Sequence, residues 1–159
     1  MRWPIRLACG GAALLVLAGC GGDDSEDDGP QSPLDEERAE ERAEEHITET
    51  TSVLPDSLEL ESFGGSANAA CENPDLVTVS TRYWLDGLES EDNEKHVEAL
   101  HEYWTGHGYT VVEDSRPDDR FVHVRHEEDG FSMSVTEDVD GHLSLGASSP
   151  CIDPQGAEE

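Results

Sequence analysis

Two periods divide this chain. Over residues 35–51, DEERAEERAEEHITETT, and again over 91–105, apolar side chains recur every three or four positions, which is the spacing of one helical face. From Leu76 onward the other runs alternate apolar with polar, the spacing of a half-buried strand. The first helix offers Leu34, Ala39, Ala43, Ile47 and Leu54 as an inner face, a narrow stripe of small volume. It is expected to dock weakly or to stand as a spacer over residues 35–54, ended by Pro55. ESFGGSANAACENPD then reads as loop or extended chain.

The first clear strand spans Leu76 to Leu85, with Val77, Val79, Thr81 and Tyr83 on one side and Thr78, Ser80, Arg82 and Trp84 on the other. Ser90 is placed to cap a helix over 91–105 whose buried face is Val97, Leu100, Trp104 and Tyr103, with Gly106 and Gly108 as the stop. Strands follow over Tyr109 to Glu113 and Arg120 to His126. Two Asp-Gly pairs, Asp129-Gly130 and Asp140-Gly141, sit between alternating segments and predict hairpins. Phe131, Met133 and Val135 mark one buried row, and Leu143, Leu145 and Ala147 the next. The expected architecture is α+β: an antiparallel sheet of about five strands with one or two helices packed on one face, over residues 57–153, and a flexible tail over 154–159.

The N-terminal end is built differently. Arg2 and Arg6 precede an uncharged apolar run from Leu7 to Ala18, and the 13 residues from Leu7 through Gly19 are too few for the roughly 20 that span a bilayer. This is the layout of a signal peptide over residues 1–19, with its cationic flank held inside. Leu17-Ala18-Gly19-Cys20 at the end of that run resembles the lipobox of bacterial lipoproteins, in which the chain is cut before a cysteine whose thiol is acylated. The resemblance implies lipidation of Cys20 and a lipid anchor on the extracellular face of the cell membrane. After it, Gly21 to Pro33 holds five acids, three glycines and two prolines without a large apolar side chain, so residues 20–34 are expected as a disordered acidic tether.

Charge narrows the partners. Seven Lys and Arg stand against 38 acids after Cys20, a formal −31 that repels nucleic acid and anionic headgroups. A basic or envelope protein, a cation or a neutral ligand is the expected partner. Cys71 and Cys151 are the two cysteines left once Cys9 leaves with the signal and Cys20 is acylated. In an oxidising exterior they are expected to pair, closing a loop of 81 residues and making the first and last strands of the sheet neighbours.

No catalytic motif is present: there is no G-x-S-x-G, no H-E-x-x-H, and no phosphate-cradling glycine loop. No catalytic residue and no cofactor is assigned, and the chain is read as a non-enzyme. Among the histidines, His96, His107 and His126 are the candidates for an alternative role as an extracellular zinc or copper protein; a hydrolase with an unrecognised site is a further alternative. His123 and His126, three apart on a strand, point to opposite faces. Trp84 and Tyr83 are the candidate binding residues. If Tyr83 faces a helix, Trp84 points outward as a contact for a sugar or a protein, unless the 35–54 helix covers it.

The helix end Tyr103-Trp104-Thr105-Gly106-His107-Gly108-Tyr109, the Asp129-Gly130-Phe131 turn and the ending Leu143-Ser144-Leu145-Gly146-Ala147-Ser148-Ser149-Pro150-Cys151 resemble small lipoproteins of actinobacteria. That resemblance implies a cell-surface location and carries no activity.

Overall fold

The computed structural model describes residues 29–157, so the expected signal peptide, the lipidation of Cys20 and most of the acidic tether lie outside the described residues. The chain runs helix α1 (Glu36–Thr51), strands β1 (Glu59–Ser62), β2 (Ala67–Ala70) and β3 (Val77–Asp86), helix α2 (Asn93–Gly106), then β4 (Tyr109–Asp114), β5 (Val122–His126), β6 (Ser132–Glu137) and β7 (Leu143–Ser148). All strands pair antiparallel in the order β1-β3-β7-β6-β5-β4, with β2 on the same edge of β3 as β1. The fold is α+β with both helices on one sheet face, and its sheet has seven strands where the pattern predicts about five.

The two extra strands lie in the stretch read as loop. Both are exposed at every position and attach to β3 by backbone pairing alone, Glu59 opposite Asp86 and Ala70 opposite Val77. A strand that buries no side chain leaves no alternation in the sequence.

α1 corrects a second expectation. The 35–54 segment is not a spacer: Ala39, Ala43, His46, Ile47 and Thr50 are buried, and the helix lies across β3 and β7. The inner face is the predicted one, but its small volume has the opposite consequence. Alanines let the helix axis approach the sheet closely, and close approach restores packing density. Asp35 caps the helix, its carboxylate accepting from Arg38 N–H at 2.8 Å. The domain accordingly begins before residue 57. Gln31 N–H donates to Cys151 O at 2.8 Å and Ser32 bridges Ile152, so the end of the expected tether is already paired. The start of the expected tail is held too, since Pro154 O accepts from Glu36 N–H at 3.3 Å.

α2 buries Val97, Leu100 and Trp104 as its spacing predicts, with a 3-10 turn over Ser90–Asp92 ahead of it, and Ser90 makes no side-chain cap. Phe131, Met133, Val135, Leu145 and Val124 complete a continuous core between helices and sheet. Both Asp-Gly hairpins form, with Gly130 and Gly141 at φ +75° and +85°, a conformation that costs glycine nothing. Cys71 and Cys151 are disulfide-bonded with their Cα atoms 6.2 Å apart, and β3 and β7 are neighbours as the pairing implies. The free edge of β3 is closed by β1 and β2. Among the described residues no helix is long and apolar enough to cross a membrane.

Candidate functional site

The two faces of this sheet do different work. On the helix face, polar side chains fasten α1. Glu44 accepts from Tyr83 Oη at 2.8 Å and from Thr81 Oγ1 at 3.0 Å. Tyr83 therefore faces the helix, and burial together with that carboxylate raises its phenol above the ordinary value. This removes Tyr83 from the candidate binding surface: its hydroxyl is committed within the fold.

The densest polar cluster joins α1 to the β5–β6 hairpin. Asp129 accepts from Arg42 Nε at 2.7 Å, His46 Nε2 at 2.9 Å, His126 Nδ1 at 2.9 Å and its own turn's Phe131 N–H at 3.1 Å. A carboxylate with four donors is held well below its usual range in spite of its partial burial. Since Asp129 can only accept, His46 Nε2 carries the proton and Nδ1 accepts a hydrogen bond from the Tyr109 hydroxyl. His46 has no solvent exposure, and burial lowers its pKa against the pull of Asp129. The ring is thus neutral and satisfied on both nitrogens.

Chemically the cluster is a latch. His46 Nε2, His126 Nδ1 and an Asp129 oxygen lie within 4.8 Å of one another, near enough to share a metal ion. Yet every ring proton is already given to Asp129, and the Arg42 guanidinium supplies the positive charge at the same oxygen. The predicted trio does not converge. His96 is buried on α2 with Nδ1 unpartnered, His107 stacks on Tyr103 at 4.0 Å beyond the helix end, and only His126 belongs to the cluster.

The opposite face carries no helix among the described residues. Its centre is a carpet of hydroxyls from β3, β7 and β6: Ser80 opposite Ser148, Ser148 opposite Ser132, and Ser134 opposite Gly146. Arg82 lies across it, Nη1 donating to Ser144 Oγ at 3.0 Å and Nη2 to Ser134 Oγ at 2.7 Å. Gly146 makes room for it, because a Cβ there would stand 2.6 Å from Nη2. Burial lowers the Arg82 pKa, and no neighbouring charge acts on it. From Thr78 to Trp84 on β3, and across β7 and β6, this face has no carboxylate.

Trp84 projects from this face, and among the described residues no helix covers it. It packs on Phe63 with ring centroids 4.9 Å apart, and on His142 at 6.1 Å. Phe63 is half-exposed, so the pair forms an aromatic border beside the hydroxyl carpet.

No family model, no curated protein and no solved structure matches the chain.

Arg82 and the His46–Asp129 pair were not singled out from sequence. Arg82 did leave a signal, a lone base between Ser80 and Trp84 on the strand side opposite the core, in a chain poor in bases. His46 falls on the buried stripe of α1, one position before Ile47, but its partner is 83 residues away. No local pattern links them.

Proposed function

We propose that this chain is a lipid-anchored extracytoplasmic protein, held at the cell membrane through Cys20, which acts as a non-catalytic binding or envelope-associated module. The helix-free sheet face is its recognition surface. One observation carries the reading: the helices occupy one side of the sheet, while the other presents Trp84 and Phe63 beside a polar, carboxylate-free floor. Aromatic rings with a polar surround are the surface chemistry of recognition. The reading as a metal protein is weaker, because Arg42 occupies the charge position at Asp129.

Two measurements test this. Cys20→Ser is expected to move the protein from the membrane fraction to the soluble one, since the buried acyl methylenes, at about 0.8 kcal/mol each, are the anchor. Retention of the variant in the membrane fraction contradicts the anchor. The soluble protein should also sediment with isolated cell envelopes, and the double substitution Phe63→Ala with Trp84→Ala should reduce that retention at least fivefold while melting unchanged. Envelope retention indifferent to these two rings would take the function off this face.

A further inference from the structure

The recognition surface runs against the charge of the rest of the molecule. Of the seven Lys and Arg after Cys20, Arg42, Lys95, Arg116 and Arg120 are paired with acids; Arg38, on α1, forms no ion pair among the described residues, and neither do Arg82 and Arg125. Both stand on the helix-free face: Arg82 on β3, and Arg125 on β5 opposite Ser132. In a chain with 38 acids, two unpaired arginines on one face, with Arg82 over a hydroxyl floor and Glu61 and Asp86 confined to the edge beyond Trp84, offer a place for an anion.

Arg82 is also preorganised. Its guanidinium lies along the sheet over Gly146, fixed by two serine hydroxyls, and three of its five N–H donors remain. A group already immobilised loses little entropy when it binds. The surround is neutral and hydroxylic, with an aromatic pair at its border. It offers hydrogen bonds to a polyol and a ring surface to a sugar, and no apolar pocket for a peptide side chain. The edge of β3 is occupied by β1 and β2, so an added peptide strand has no place on that side.

We propose that this face binds an oligosaccharide carrying a carboxylate, with Arg82 taking the carboxylate, the serines of β6 and β7 taking sugar hydroxyls, and Trp84 with Phe63 holding a sugar ring. The ligand is a short chain with sparse charge. A dense polyanion meets the −31 of the protein at long range, whereas a single carboxylate on Arg82 sits inside the roughly 8 Å over which salt screens the remainder. At Arg82 the local sign is the reverse of the global one. This binding rests on the helix-free face being the recognition surface.

Calorimetric titration of the purified full chain tests it, with a galactose trisaccharide ending in one galacturonate as the acidic probe, the neutral galactose trisaccharide as its uncharged counterpart and a glycerol-phosphate trimer as the phosphate arm. The acidic trisaccharide is expected to bind at least tenfold tighter than the neutral one. Arg82→Gln should erase that difference, and Arg82→Lys should restore part of it, because a point charge replaces the planar fork. Arg125→Gln, at an exposed position outside the core, should weaken the acidic probe a few-fold and leaves a test standing even if the Arg82 variants fold poorly. Equal binding of acidic and neutral chains would overturn the proposal, as would preference for the phosphate trimer. A dimer in sedimentation that Arg125→Glu dissolves would also overturn it, by giving the face to a second copy. Loss of acid preference while envelope retention still depends on Phe63 and Trp84 removes the carboxylate and keeps the surface.

Discussion

Asp129→Ala is expected to lower the unfolding free energy by about 3 kcal/mol, the scale for removing one partner of a largely buried charged network. The loss exceeds one hydrogen bond because of what stays behind. His46 Nε2–H keeps no acceptor in a site without solvent, and Arg42 keeps its charge beside Glu45 alone. The effect should appear as a lower denaturant midpoint and as earlier loss of α1, since Arg42 and His46 both belong to that helix. Acid should act in two stages. His46 is neutral in the fold with a lowered pKa, so the unfolded chain gains a proton as pH falls through about 6.5 and stability declines from there. Asp129, whose folded pKa is depressed, contributes fully at neutral pH, and its share is lost only as pH falls below about 4. His46→Gln, which can accept from Tyr109 and donate to Asp129, should flatten the decline between pH 7 and 5 while leaving the lower stage. A midpoint unmoved by Asp129→Ala would show that the Asp129 cluster does not hold α1.

Reduction of the Cys71–Cys151 bond is the second large effect. The bond joins residues 80 apart and so removes much of the freedom of the unfolded chain, on the order of 4 kcal/mol by the loop-entropy relation. It also ties the end of β2 to the chain leaving β7, where Ile152 N–H donates to Val77 O and Val77 N–H to Ile152 O. Thiol reduction under native conditions should therefore lower the midpoint and, because the unfolded chain expands, steepen the denaturant slope, with β1 and β2 the first strands to lose amide protection. These two strands bury nothing and depend on the β3 edge. Equal stability of reduced and oxidised protein would contradict this.

How much was legible follows from range and burial. The core rows of β3, β6 and β7, both Asp-Gly hairpins and the inner face of α2 could be read because each is a local periodicity. The cysteine pair was legible by elimination. β1 and β2 were not, because ELES and ANAA are four-residue strands exposed at every position and carry no buried apolar rhythm. α1 reads as a spacer only if side-chain volume is equated with docking strength, whereas Ala39 and Ala43 serve by being small. The polar sites were the least legible. Asp129 reads locally as a turn residue, and Arg82 as one more outward position on a strand. Their roles arise from partners brought in by the sheet: Ser134 and Ser144 lie 52 and 62 positions from Arg82, and His46 lies 83 from Asp129.

The helix-free face carries a reporter of its own. Trp84 stands on it against Phe63, while Trp104 is buried with its indole N–H on Thr50 Oγ1 at 3.1 Å. Nitrogen-15 indole spectra of the full chain, recorded while solubilised envelope glycan is added, therefore separate the two sides of the sheet in one experiment. The Trp84 indole resonance is expected to shift in a saturable way as the Trp104 resonance stays in place. A shift at Trp104 with Trp84 unmoved would contradict recognition on the helix-free face and put the ligand on the helix side.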